Sequence, residues 1–327
     1  MNTLMNNEEL NRRKFIMRLT KAGLSIVGAC ALGYVFYDPV GPSGSLEESI
    51  VSIPDFSMPE AGKKMAIVKG SDRKETLTRA FEAIGGIESF IKKGDRVLLK
   101  VNAAFASPPI LSATTHPDLV STCIELCFKA GAEKVCVTDN PINDPATCFN
   151  LTGIASAVES TGGELLLPRN NFFYPTSVNG GSLIINWPLL FEPFDGITKL
   201  IGMAPVKDHQ RSGASMSMKN WYGFLGGHRN IFHQDIHNTI KELAMMVKPT
   251  LVILDGTTTM MTNGPTGGAL SDLKDTNTMI VSTDQVAADS FGCSLLDKTI
   301  NDLPFISKAA EAGAGTVDYE SLKPVFI

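Results

Sequence analysis

Arg96-Val97-Leu98-Leu99-Lys100-Val101-Asn102 decides the fold. An unbroken Val/Leu run closing on a polar residue reads as a strand buried on both faces. Such strands belong to parallel sheets covered by helices on either side. The signature recurs at Ala66-Ile67-Val68-Lys69, Val135-Cys136-Val137-Thr138, Leu165-Leu166-Leu167, Leu183-Ile184-Ile185, Leu200-Ile201-Gly202-Met203-Ala204, Leu251-Val252-Ile253-Leu254 and Met279-Ile280-Val281-Ser282. Helical spacing fills several gaps, at 73–84, 234–247 and 285–296. After Pro117, residues Leu119, Val120, Cys123, Leu126, Cys127 and Ala130 mark one helical face that stops at Gly131. The expected fold is α/β, a mostly parallel sheet with helices on both faces. The stretch 162–205, with strand-like runs and little helix, is expected to supply a smaller antiparallel lobe.

The chain has 327 residues, 43% hydrophobic and 19% charged, which describes a globular protein rather than a disordered one. A net charge of −5 argues against a general nucleic-acid binder. Six cysteines are present, with no Cys-x-x-Cys. Five lie beyond residue 37, an odd number that argues against a disulfide framework. The same spacing argues against a resident iron–sulfur cluster, and buried free thiols are the simpler reading.

At the N-terminus, Arg12-Arg13-Lys14-Phe15-Ile16 precedes an apolar run over 19–37 that carries one charge, Lys21. This reads as a twin-arginine export signal. Three fates fit it: cleavage at Ala29-Cys30-Ala31, acylation at Cys30, or retention as an anchor. All three place the body outside the cytoplasm, in the periplasm or on the outer face of the membrane. Partners follow: the export machinery and, if the segment is retained, the membrane. Residues 1–37 are the signal or anchor, 38–64 a Pro/Gly/Ser-rich spacer, and 65–327 the α/β domain.

Ligands of open α/β sheets sit beyond the carboxyl ends of the strands. Polar residues gather there: Lys100 and Asn102, Asp139 and Asn140, Lys207-Asp208-His209, Asp255, and Thr283-Asp284. The segment 199–229 concentrates Lys199, Lys207, Arg211, Lys219 and Arg229, with His209 and His228, against one acid, Asp208. Glycine-rich backbone with lysine and arginine suits a phosphate or carboxylate. The partner expected is therefore an anionic small molecule, held by Lys207, Lys219 and Arg229, with His209 or His233 moving a proton. His233 and His237 lie one helical turn apart, a spacing that zinc uses, although His-Glu-x-x-His is absent. Asp255, Asp284 and Asp289 are the candidates for a hard divalent cation. Asn263-Gly264-Pro265-Thr266-Gly267-Gly268 is neither a P-loop nor Gly-x-Gly-x-x-Gly, but Gly264 and Gly267 permit close backbone approach to a ligand.

Several spaced motifs occur in one order: Lys100-Val101-Asn102, Thr114-Thr115-His116-Pro117, Lys207-Asp208-His209, Ser217-Met218-Lys219-Asn220, Gly226-Gly227-His228-Arg229, Phe232-His233, Asp255-Gly256, Asn263-Gly264-Pro265 and Thr283-Asp284-Gln285-Val286-Ala287-Ala288-Asp289. Together, over roughly 65–315, they resemble the domain-of-unknown-function 362 family. The resemblance implies an α/β domain, and members with export signals. Some relatives carry an added ferredoxin-like iron–sulfur module, whose cysteines this chain lacks. It also implies a set of recurring polar positions: Asn102, His116, Lys207, His209, Lys219, Asn220, Arg229, His233, Asp255, Asp284 and Asp289. It supplies no reaction. Three functions stay open: an enzyme acting on a small anion, with or without a metal; a non-catalytic periplasmic binding or scaffold protein; and an iron–sulfur or redox maturation protein.

Overall fold

The computed structural model describes residues 14–25 and 50–327. Residues 14–25 form a helix (α1) belonging to a separate unit, 1–43, and the body is the unit 44–327. Phe15, Ile16, Met17, Leu19 and Leu24 of α1 are exposed. Among the described residues, no helix is long and apolar enough to cross a membrane. Arg12, Arg13 and the Ala29-Cys30-Ala31 site lie outside the described residues.

The body is built on strands β1 (Met65–Lys69), β2 (Arg96–Lys100), β3 (Lys134–Thr138), β4 (Glu164–Leu166), β7 (Lys199–His209), β9 (Leu251–Met260), β10 (Leu273–Ser282) and β11 (Val325–Phe326). They line up as β11-β1-β10-β9-β7-β2-β3-β4, with β8 (Gly213–Ser215) folded back beside β7. Contacts from β9 through β7, β2 and β3 to β4 are parallel, and β10 is antiparallel to both its neighbours. A separate antiparallel pair, β5 (Phe173–Thr176) and β6 (Trp187–Leu190), supplies the small lobe expected within 162–205. The mostly parallel sheet with helices around it is thus the fold read from the sequence.

Alternation along each strand feeds two cores. Val97, Leu99, Val135, Val137, Ile201, Ile253 and Met279 face α2 (Arg73–Ala83), α3 (Pro117–Lys129) and α5 (Ile154–Ser160). Leu98, Leu200, Val252, Leu254 and Ile280 face α7 (Ile236–Met246), α8 (Gln285–Gly292) and α9 (Pro304–Glu311). With both faces buried, a strand cannot alternate polar and apolar residues, which explains the unbroken runs.

Three expectations need correction. Leu183-Ile184-Ile185 is not a strand. The amides of Ser182, Leu183 and Ile184 donate to the carboxylate of Glu242 on α7, at 2.7–3.1 Å, instead of to a neighbouring strand. Of the expected spacer 38–64, residues 38–49 lie outside the described residues, and residues 50–64 are not a free spacer. From residue 50 it is irregular, as its prolines require, but it is packed on the body: Ile53 and Phe56 are buried, and Phe56 exchanges backbone and side-chain hydrogen bonds with Lys248 and Thr250. The 285–296 segment is α-helical only to Gly292 and tightens into a 3-10 turn over Cys293–Leu296. Four helices went unread: α4 (Pro145–Leu151), α5, the short α6 (Ser217–Asn220) and α9.

Glu242 is fully buried. Exchanging it for glutamine turns one acceptor oxygen into an amino group facing backbone donors. We expect Glu242→Gln to lower unfolding free energy by about 1–3 kcal/mol, read by urea titration.

Candidate functional site

Strand order reverses between β2 and β7. β2 leads outward to β3 and β4 through helices on one face, whereas β7 leads the other way to β9 through α6 (Ser217–Asn220) and α7 on the opposite face. A crevice opens where such connections part, outside the carboxyl ends of the strands. A cavity lies there. Its lining includes Asn102, Asp139, Lys207, His209, Ser215, Lys219, Asn220, Tyr222, Arg229 and His233.

Its floor is a buried ion pair. Lys100 at the end of β2 and Asp139 just past β3 meet at 2.8 Å with both side chains almost wholly excluded from water. Asp139 also accepts from the amides of Ala103 (2.7 Å) and Asn140 (2.8 Å). Lys100 donates to the Val101 carbonyl (2.6 Å) and to Oδ1 of Asn220 (3.3 Å). Burial drives the Lys100 pKa down, and Asp139 opposes it. Gly223 closes over the pair. A Cβ there would sit 2.0 Å from Asp139 Oδ1, so this position of the glycine-rich segment is dictated by close approach.

Two further lysines face the cavity without a carboxylate partner. Lys207 donates to the Ala113 carbonyl and lies 5.2 Å from the Phe105 ring centre. Lys219, on the short helix α6, lies 5.0 Å from the Tyr222 ring centre, and its Nζ has no hydrogen-bond or ion-pair partner among the described residues. Burial, then the charge of Lys219, pushes Lys207 down to about 7. Burial, then Arg229, pushes Lys219 down to about 7. Arg229 was expected to hold the ligand directly. Its guanidinium is instead spent on the carbonyls of Tyr222, Leu225, Asn140 and Pro141, so it staples the loop after β3 to the segment after α6 and contributes only its field. Asn220 is spent similarly, donating to the carbonyls of Lys100 and Met203 across β2 and β7. Asn102 Oδ1 accepts from the Ala104 amide at 3.5 Å, while its Nδ2 has no partner among the described residues.

His209 and His233 stack with ring centres 5.6 Å apart and planes 13° from parallel. Their surroundings set opposite tautomers. Nδ1 of His209 accepts from the amides of Arg211 (3.2 Å) and Ser212 (3.3 Å), so its proton is on Nε2. The Tyr222 hydroxyl gives its proton to the Arg229 carbonyl, so Nδ1 of His233, 3.0 Å from that hydroxyl, must donate to it. That leaves Nε2 of His233 as an acceptor. Burial, then Lys219, holds both rings neutral, with His209 pushed down to about 2. The pair therefore offers one donor and one acceptor.

Other sequence candidates lie elsewhere. His116 caps α3, its Nδ1 accepting from the Asp118 amide, and lines a separate open groove with Arg73. The three aspartates do not come together, and no cluster of three or more metal-ligating side chains occurs among the described residues. Asp255 pairs with Arg73 at 2.6 Å; Asp284 caps α8 and meets Lys63 at 3.3 Å; Asp289 accepts from Ser217 and Met218. Gly264 approaches backbone closely, but the backbone is protein: a Cβ there would lie 1.9 Å from the Asp208 carbonyl oxygen. Its loop is the turn between β9 and β10, and brings Pro265, not Gly264 or Gly267, to the cavity. His237 stacks on Phe305, away from the cavity lining, so it does not pair with His233. Sequence reasoning placed Asp139 at a strand end without giving it a role, and did not place Ser215 in the site. For Asp139 a signal existed, since β2 and β3 end side by side with Lys100 paired to Thr138.

Comparison with known proteins adds relatives but no reaction. Thylakoid-associated protein sll1697 of Synechocystis sp. is 25% identical over 263 residues, 76% of this chain and 78% of its own. The lactate racemase apoprotein of Thermoanaerobacterium thermosaccharolyticum is similar at a TM-score of 0.40 and 12% identity, over 75% of this chain and 61% of that one. A Thermotoga maritima protein is similar at 0.32 and 11%, over 74% and 58%. The chain thus spans less than two thirds of either solved protein, and at these scores neither likeness bears on what the cavity does. The profile of the domain of unknown function DUF362 matches residues 97–294, which take in β2 through α8 and every residue lining the cavity. The chain belongs to the DUF362 family.

Proposed function

We propose that this protein is an enzyme that binds a small carboxylate or phosphate in the β2/β7 crevice and moves a proton on it. The observation that carries the reading is the uncompensated charge. Lys207, Lys219 and Arg229 meet in one buried cavity whose single carboxylate, Asp139, is already paired with Lys100. Buried charge without a partner is costly, and an anion is the ligand that removes the cost. Neutral His209 supplies a donor and neutral His233 an acceptor, the two halves of acid–base chemistry. We further propose export by the twin-arginine route, supported by Arg12-Arg13 and the apolar run after it, with the body working in the periplasm or on the outer face of the cytoplasmic membrane.

Thermal melting with sulfate, phosphate and malonate tests the binding. We expect a rise in Tm with at least one anion, and its loss in Lys219→Met. His233→Asn keeps a similar shape but removes the acceptor, and is expected to retain the anion response. It would lose turnover by about 100-fold or more once a substrate is identified. An unchanged Tm with every anion, in protein that is otherwise folded, would sink this reading.

A further inference from the structure

We propose that Lys219 is a nucleophile that forms an imine with a 2-oxo acid. This rests on the anion-binding reading and names its substrate class. Two buried lysines line the cavity and a third, Lys100, lies beneath it on Asp139; only one of the three has a free amine. Lys100 is neutralised by Asp139 and bound to two further acceptors. Lys207 is tied to the Ala113 carbonyl under Phe105. Lys219 Nζ meets only the face of Tyr222. An amine desolvated beside other cations keeps a large neutral fraction near pH 7, the condition for attack on a carbonyl, and Lys219 sits at about 7 for those reasons.

The remaining groups fit a carbonyl flanked by a carboxylate. Lys207 supplies charge for the carboxylate, and Nδ2 of Asn102 and Nε2–H of His209 are donors without protein partners among the described residues. In the addition, the Nζ lone pair bonds to the carbonyl carbon and the π pair moves to oxygen, giving a carbinolamine. In the dehydration, the nitrogen lone pair forms C=N as the C–O bond breaks and water leaves. The two protons lost from nitrogen balance the two gained by oxygen. His233 Nε2 takes each proton from nitrogen and returns it to oxygen, one in the addition and one in the dehydration, so it ends neutral and Lys207 stays charged against the carboxylate. No oxidant or reductant is needed.

Full-length protein would be incubated with pyruvate or glyoxylate, reduced with cyanoborohydride and mapped by peptide mass. The expected result is a reduced adduct on Lys219 and its loss in Lys219→Arg, which keeps the charge. Wild-type mapping alone decides if that variant fails to fold. Melting of the unreduced protein with pyruvate and with sulfate runs in parallel. Stabilisation by either anion without an adduct, or with adducts spread over other lysines, overturns the imine and leaves the anion site standing. No stabilisation and no adduct overturns both.

Discussion

Asp139→Ala is expected to destabilise the protein by about 3–5 kcal/mol, because it leaves the Lys100 ammonium buried without its counter-charge. Lys100 is fully excluded from water and would keep only the Val101 carbonyl and Asn220 Oδ1. The amides of Ala103 and Asn140 lose their acceptor in the same step. Lys100→Met should cost less. Asp139 then keeps both amide donors, and a methionine fills most of the lysine's volume in the apolar surroundings of Phe224. The double variant Lys100→Met/Asp139→Ala should fall between the two, since it removes the stranded ammonium but not the stranded amides. Urea titrations of all three against wild type check this order. Asp139→Ala matching Lys100→Met would mean that the pair is wetter than its burial indicates.

The pair also shows what was legible in the sequence. Each partner was visible as a strand-end polar residue, because buried parallel strands announce themselves by their apolar runs and stop where polarity returns. Their contact was not visible. It depends on β2 and β3 being neighbours in register, and on Gly223, more than 80 residues later, passing over them. Lys207, His209 and Lys219 were read as one site because they crowd a short basic segment, with His233 just beyond it. That crowding is local, so composition reports it. The division of labour was illegible. Arg229 and Asn220 look like ligand-binding residues by type, yet backbone carbonyls take their donors. Asp255, Asp284 and Asp289 look like metal ligands by type, yet each answers to a separate donor: a guanidinium, a helix N-terminus and the Ser217 hydroxyl. Side-chain chemistry restricts what a residue can do. Which partner reaches it first is a property of the packed chain.

The same unpaired lysines set how the protein should respond to pH. Lys207 and Lys219 have folded pKa values of about 7, below the usual 10.5. Between these values the unfolded chain binds more protons than the folded one, so stability rises with pH across that window, by at most about 1.4 kcal/mol per pH unit for each lysine. Below 7 both states are protonated, and the cost of burying the charges is present in full. The clean range is about 7 to 9. Under it, Asp289, raised to about 7 by burial, pulls the other way; above it, buried thiols such as Cys293, raised to about 11, reverse the slope. An anion in the cavity should cancel the effect, because it stabilises the protonated lysines. Sulfate, which does not itself titrate here, should therefore raise Tm strongly at pH 6 and little at pH 9. Its affinity should fall up to about tenfold per pH unit for each proton that must accompany it. Lys219→Met should flatten both curves, since it removes one titrating amine and relieves Lys207 of a neighbouring charge. A sulfate response of equal size at pH 6 and pH 9 would mean that these lysines are charged throughout and that another group holds the anion.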